Sequence, residues 1–496
     1  MKKTVFLTGA TGIMGRAGFQ ELLSRSDKFD ITLLVRPSLK NRIRMRKYAK
    51  LKNVRIVWGD LTCYEDVLDG VTGADYVLHV GGMVSPKADP KPKTTRAVNV
   101  LGADNIVRAI KAQPFPDRIK TVYIGSVAQT GDRNPPLHWG RTGDPINISI
   151  YDHYAVTKTI AERIFAESGL KYWVSLRQSG ILYGGILKNF NPIMFHVPLR
   201  GVLEWATVED SGRLLANVCE DWVPENFWRG FYNIGSGEQF RLTNYHFECL
   251  TLKAAHCPPP DKIFEAHWFA RRNFHGQWFE DSDKLDDILH FREKISCDEY
   301  FRRMSAQLPF YFKLAGLVPA PVIKFFIKRL ASSAPFGILH WMKTGDKARI
   351  SAYIGNPQPP QPTWKDIDLS RPSPVPLHLN HGYDESKPLH DLTIEDMRQA
   401  AEFRGGECLT ERMDKGALDS LLEWRCQNGH VFHATARLVL LGGHWCDKCL
   451  PMPAPWNYDS IAAGNPFFAQ VWEPFHSNEN NRYEASELDD WEKQAG

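Results

Sequence analysis

The sequence predicts an α/β fold: a doubly wound parallel sheet with a small substrate-binding lobe, followed by a small C-terminal metal-binding unit. Three observations carry this. Short apolar runs alternate with helical patterns through the first half of the chain. The first run leads straight into Gly9-Ala10-Thr11-Gly12-Ile13-Met14-Gly15, and a helical pattern follows to about Leu23. Near the other end, soft ligands gather in two close pairs, Cys426 with His430 and Cys446 with Cys449.

The first element is Thr4–Thr8, read as a buried strand. In the turn after it, Gly9 permits the tight reversal, Gly12 lets backbone approach a pyrophosphate, and Gly15 lets helix pack on strand. The helix start offers free N–H groups and a positive dipole end to phosphates. Thr11, Ile13 and Met14 complete this expected cradle.

The second strand, Ile31–Val35, ends on Arg36, where an NAD-selective site usually carries an acid. Arg36 suits a 2′-phosphate, so NADP(H) is expected ahead of NAD(H). Lys40 and Arg42 could assist, although most of the basic stretch from Lys40 to Lys50 reads as a solvated helix face. A third strand, Val54–Trp58, delivers Gly59-Asp60-Leu61, and a fourth, Tyr76–Val80, delivers Gly81-Gly82. Such strand ends are where ligands bind in a parallel sheet.

A fifth strand, Thr121–Ile124, ends at Ser126. Tyr154 and Lys158 then open a helix, and their spacing of four puts both on one face. An ammonium near a phenol is expected to lower the phenol's pKa, so that Tyr154 exchanges a proton with a substrate oxygen held by Ser126. A Tyr and a Lys on an exposed helix mean little alone; the preceding glycine turn and strand ends give them weight.

These motifs resemble the extended short-chain dehydrogenase/reductase family, nearest its hydroxysteroid dehydrogenase and carbonyl reductase types. The resemblance covers residues 3 to 240, more loosely to 305. It rests on Thr8, Gly9, Gly12 and Gly15, on Asp60 and Leu61, on Asn99 in Asn99-Val100-Leu101-Gly102, on Ser126, Tyr154 and Lys158, on Leu176-Arg177 through Tyr183-Gly184, and on Val208-Glu209-Asp210. It implies a Rossmann-type sheet, an NAD(P) cofactor, an adenine contact at Asp60-Leu61 and a catalytic set of Ser126, Tyr154 and Lys158. Gln178 departs from the usual proline. The stretch between Gly184 and Val208 is also short, which counts against nucleotide sugars. In its place stand Phe190, Ile193, Met194, Phe195, Val197, Val202, Leu203 and Trp205, read equally as a lining for an apolar substrate or as ordinary core.

Composition sets the outer bounds. With 496 residues, 43% hydrophobic and 24% charged, the chain suits two to four soluble domains. A net charge of +4 does not favour nucleic acid as main partner. Most of the nine cysteines are scattered, as in a reducing compartment. Glycines interrupt the N-terminal apolar run, and no run is long enough to span a bilayer, so a cytoplasmic protein is expected.

The expected layout is 1–305 for the cofactor domain with a substrate lobe at 172–305, 306–350 as a basic amphipathic segment, 351–390 as a proline-rich linker, 391–452 as the metal unit and 453–496 as a tail, aromatic and then acidic. From Leu308 to Lys343 no acidic residue occurs. Val322, Phe325, Phe326 and Leu330 share a face there, with Lys324 and Lys328 opposite. The pattern permits a peripheral helix on a membrane, but a lid or packing helix docked on the catalytic domain is preferred.

In the metal unit, two close pairs suit tetrahedral Zn2+, with His433 and His444 as less favoured substitutes. Four ligands leave no open position, so the metal is expected to be structural. Trp424-Arg425-Cys426 through Phe432, and Gly443 through Cys449, resemble a small zinc-ribbon or treble-clef module, with Asp447 in place of its usual proline. A protein partner for this unit, and the oligomeric state, stay open.

The leading function is an NAD(P)H-dependent oxidoreductase acting on an apolar alcohol or carbonyl compound. The alternatives are a sugar-nucleotide epimerase or dehydratase, for which Arg200, Arg213 and Arg241 are available, and an NADP-sensing scaffold.

Overall fold

The computed structural model describes residues 2–356, 358–450, 456–476 and 483, with the side chains of 313–315 left aside. The acidic end expected from Asn478 lies outside the described residues, Tyr483 excepted.

Seven parallel strands form the main sheet: β1 (Lys3–Thr8), β2 (Phe29–Val35), β3 (Val54–Trp58), β4 (Tyr76–His79), β5 (Lys120–Ser126), β6 (Trp173–Gln178) and β7 (Gly230–Ile234). Their order is β7-β6-β5-β4-β1-β2-β3, the doubly wound arrangement expected. The chain leaves β1 in one direction and β4 in the other, so the crevice opens beyond the carboxyl ends of these two.

Alternate residues of each strand feed two cores. Val5, Leu7, Leu33, Leu78 and Ile124 face α1 (Ile13–Ser24) and α6 (Val208–Asn217). Phe6, Leu34, Val77 and Tyr123 face the other side, where α3 (Tyr64–Val71), α4 (Gly102–Lys111) and α5 (His153–Ala166) lie. Burial on both faces explains why the strands read as unbroken apolar runs. Helix α2 (Leu39–Met45) follows β2.

Helix α7 (Ala320–Ala331) docks on the substrate lobe beside Phe195, Phe264 and Trp268. The proline-rich stretch is draped along the first domain. Arg271 and Trp139 donate to the carbonyls of Pro360 and Ser373, and Arg141 to that of Leu379.

The C-terminal unit is built on three antiparallel strands, β8 (Glu407–Cys408), β9 (Leu421–Arg425) and β10 (Val431–Thr435). Its Trp424, Phe432, Leu438 and Trp445 belong to the same continuous core as Ile106, Val156 and Phe165 of α4 and α5. Helices α8 (Tyr458–Gly464) and α9 (Pro466–His476) join that core through Tyr458, Phe468 and Trp472.

Candidate active site

The glycine turn is set by close approach. Gly9 has φ of +78°, and a Cβ there would come within 2.8 Å of Gly81 N. A Cβ on Gly15 would meet the Gly9 carbonyl oxygen at 2.3 Å. Both positions therefore require glycine. No side chain caps the first turn of α1, while Gly12 and Ile13 are exposed at the crevice. The leading N–H groups of α1 thus lack a side-chain acceptor, which fits a cofactor pyrophosphate. Met14 contributes backbone only, since its side chain is buried below the turn.

Thr8 Oγ1 accepts from Gly81 N at 2.9 Å, tying β1 to the turn after β4. Asn99 holds the same turn from the other side. Its Oδ1 accepts from Met83 N at 2.8 Å, and its Nδ2 donates to the Met83 carbonyl at 3.0 Å and to Thr157 Oγ1 at 2.9 Å. Thr157 lies between Tyr154 and Lys158, so Asn99 pins the glycine pair Gly81-Gly82 to the catalytic helix. It sits in a single π-helical turn, Ala97–Leu101, a local widening common at functional sites. Asp60 Oδ1 is occupied by Thr62, and the Leu61 side chain packs beneath Gly81 and Gly102.

Arg36 stands exposed just past β2, and its carbonyl accepts from Asn41 Nδ2 at 3.0 Å. The structure adds a neighbour not singled out from the sequence: Arg44 Nη1 donates to the Thr11 carbonyl at 2.8 Å, reaching the glycine turn from α2. Arg42 is turned away and lies 4.8 Å over the Trp58 ring. Basic residues at every second position, Lys40, Arg42 and Arg44, look like a solvated face in the sequence, and only the fold separates these roles.

Helix α5 is capped by Asp152, whose Oδ1 accepts from Ala155 N at 2.9 Å. Ala155, Val156, Ala161 and Phe165 anchor it on the sheet. Ser126 Oγ accepts from Ala128 N at 3.2 Å and lies near enough to the Tyr154 phenol to favour its ionised form. The expected lowering of the Tyr154 pKa is not what the geometry gives. Burial pushes the phenol up to about 12, with the Ser126 hydroxyl pulling the other way and the carboxylates of Asp152 and Asp89 adding to the rise. Lys158 is held toward β5. Its Nζ donates to the Ile124 carbonyl at 2.5 Å and lies 4.5 Å over the Tyr123 ring. Burial brings the Lys158 ammonium down to about 7, and Glu162 opposes that fall.

Several residues near the site escaped the sequence reading because they come from distant loops. Asp89, held by Ser85 at 2.5 Å, is pushed up to about 6 by burial. His275 Nδ1 lies 3.3 Å from Asp152. Tyr353 stacks near His196 and Trp341, each at 5.0 Å, so the segment beyond α7 returns toward Asp152.

The apolar segment before Asp210 divides. Phe195 and Val202 are core, Trp205 is stacked on Phe247 at 4.3 Å, and Phe190 is exposed. The three arginines considered for a diphosphate are engaged: Arg200 with Asp368 at 3.0 Å, Arg241 with Glu204 at 2.8 Å, and Arg213 with Asp210.

In the C-terminal unit, the ligand atoms of Cys426, His430, Cys446 and Cys449 lie within 4.8 Å of one another. The Sγ atoms of Cys426 and Cys449 are 3.7 Å apart, and His430 Nδ1 is 3.3 Å and 3.6 Å from the sulfurs of Cys449 and Cys446. Zinc bonded to sulfur at about 2.3 Å in a tetrahedron spaces its sulfurs about 3.8 Å apart. The four residues fit such an ion. Asn428 Nδ2 lies 3.2 Å from Cys449 Sγ, a supporting contact of the kind that orients ligands. The two substitutes point elsewhere: His433 is exposed, and His444 is buried against Glu162.

Residues 5–182 match the NAD dependent epimerase/dehydratase family. Among curated proteins, UDP-glucose 4-epimerase of Rickettsia bellii is 32% identical over 117 residues, 22% of this chain and 32% of that protein. The 3 beta-hydroxysteroid dehydrogenase type 7 of Mus musculus is 26% identical over 165 residues, 33% of this chain and 43% of that protein. The chain thus spans less than half the length of these relatives. Among solved structures, a dTDP-glucose 4,6-dehydratase from Streptomyces venezuelae has TM-score 0.49 and 19% identity, covering 65% of this chain and all of that one. UDP-glucose 4-epimerase from Bifidobacterium longum, in complex with NAD+ and UDP, has TM-score 0.46 and 17% identity, covering 63% of this chain and 100% of that one.

Proposed function

We propose that the first 305 residues form an oxidoreductase that interconverts an alcohol and a carbonyl on an apolar steroid-, terpenoid- or acyl-like substrate, using NADP(H) in preference to NAD(H). The observation that carries this is the desolvated Tyr154 phenol on the helix of Lys158, close enough to Ser126 for that hydroxyl to favour its ionised form, together with the uncapped start of α1. The nicotinamide cofactor, when bound, supplies or accepts the hydride. Ser126 and Tyr154 hold the substrate oxygen. A phenol that stays protonated at neutral pH suits giving its proton to a carbonyl being reduced. Lys158 supplies positive charge behind it and hydrogen-bonds the Ile124 carbonyl, fixing the helix against β5.

Two observations support an apolar substrate over a nucleotide sugar. The available arginines are tied up in ion pairs, and a hydroxysteroid dehydrogenase is among the sequence relatives. The epimerase reading is kept because of the Rickettsia relative. NADP(H) preference rests on Arg36, while Arg44 reaches the glycine turn. The C-terminal unit takes a structural Zn2+ on Cys426, His430, Cys446 and Cys449.

The experiment is to mix the protein with NADPH or NADH and a panel of ketosteroids, terpenoid ketones, aldehydes and nucleotide sugars, following nicotinamide absorbance. Turnover of an apolar ketone supports the reading. Turnover restricted to nucleotide sugars replaces it with the second one.

A further inference from the structure

Helix α7 has two apolar faces. Ile323, Ile327, Leu330 and Ala331, spaced by three and four, turn inward on the lobe core of Phe264, Trp268 and Trp341. Lys324 pairs with Glu265 at the flank. On the outer side Val322, Phe325 and Phe326 are 44%, 58% and 64% exposed. Just ahead of the helix, Phe310, Tyr311 and Leu317 are 77%, 57% and 78% exposed. A soluble surface usually scatters such side chains singly, and a concentration of them marks an interaction site.

Charge says what the site fits. No acidic residue occurs from Leu308 to Lys343, and Lys328, Arg329 and Lys343 are exposed around the aromatic side chains. Rings flanked by cations, with no carboxylate from the segment itself and Glu265 neutralised by Lys324, complement an anionic lipid surface: the rings enter the headgroup region and the cations meet phosphates. Among the described residues no helix is long and apolar enough to cross a membrane, so the contact is peripheral. The face also adjoins the substrate lobe. Lys188 lies 5.8 Å from the Phe312 ring, and α7 packs on the turn Pro192–His196.

We propose that residues 310–329 form a docking face for an anionic lipid surface, which holds the substrate lobe against the bilayer. Delivery of an apolar substrate there rests on the function proposed above; binding to lipid does not.

The test is co-sedimentation of the full chain with vesicles of phosphatidylcholine plus phosphatidylglycerol, and with phosphatidylcholine alone. Binding is expected to the anionic vesicles and to weaken with salt, by roughly fivefold for each cation removed from the contact. The exposed pairs Phe325→Ser/Phe326→Ser and Lys328→Glu/Arg329→Glu should each reduce it at least roughly tenfold, leaving NADPH binding and the circular dichroism spectrum unchanged. Wild-type protein that stays in the supernatant with anionic vesicles would overturn the proposal. So would binding indifferent to both double variants. Self-association by light scattering, abolished by the phenylalanine variant with no vesicle binding, would assign the face to a second copy of the chain. Failure of this test leaves the nicotinamide assay untouched, so the two readings fall separately.

Discussion

His444 Nε2 lies 2.8 Å from Glu162 Oε1, joining the C-terminal unit to the catalytic helix four residues beyond Lys158. Glu162 is fully buried and also takes Arg177 at 2.6 Å and Ser175 at 2.5 Å, while Arg177 donates to the Gly442 carbonyl at 2.6 Å. A Cβ on Gly125 would stand 3.3 Å from Glu162 Oε2, so the carboxylate is packed against the residue before Ser126. The C-terminal unit is therefore structurally continuous with α5.

Replacing Glu162 should move a pH limb. Lys158 is charged below about 7, and Glu162 favours that charge. A rate that needs the ammonium falls as pH rises through about 7. In Glu162→Gln the charged form is less favoured, so the limb moves to lower pH in a kcat profile. Burial and Arg177 act oppositely on Glu162, and its carboxyl is held well below the usual range. Its stabilisation is therefore present above the usual carboxylate value and is lost as pH falls toward the lower one. Glu162→Gln should also destabilise by about 3 kcal/mol or more, because Arg177 is left buried without its counter-charge. Denaturant unfolding of the two proteins checks this.

Metal removal should loosen the catalytic helix. On the proposed assignment, zinc at Cys426, His430, Cys446 and Cys449 would fix the Gly442–Cys446 loop that meets Glu162 and Arg177. A chelator, or Cys446→Ser, should remove about one zinc per chain and raise amide exchange in α5 more than in α1. Equal exchange with and without metal would contradict the coupling.

Arg36→Ala should weaken NADPH binding roughly tenfold and leave NADH binding unchanged, because a lost charge-assisted contact to phosphate is worth about 1.5 kcal/mol or more. Titration by NADPH fluorescence reads this directly. Arg44→Ala should weaken both cofactors, since Arg44 reaches the glycine turn rather than the end of β2.

Much of this architecture was legible in the sequence because it depends on local pattern. β3 falls on the expected Val54–Trp58, and β1, β2, β4 and β5 differ from expectation by one to three residues at their ends. The glycines at 9 and 15 could be read because no other residue fits their contacts. The metal quartet could be read from pair spacing. What the sequence hid is long-range. Lys158 was expected beside Tyr154 from helix spacing, but its chain turns to the Ile124 carbonyl on a neighbouring strand. Phe195 looked as much like a substrate lining as a core until Phe264 and Trp268 came to pack near it, and Val202 until Trp139 and Trp278 did. Helix α7 was assigned one apolar face and has two. Nothing local in Gly442 or His444 announces that they close on Arg177 and Glu162, 265 and 282 residues away.

The central claim is proton exchange by Tyr154 during hydride transfer. The most direct measurement is single-turnover oxidation of NADPH with an accepted ketone, comparing wild type and Tyr154→Phe at equal cofactor saturation. The account predicts unchanged NADPH binding and a rate lower by about 10²- to 10⁴-fold. A Tyr154→Phe rate equal to that of wild type would contradict it.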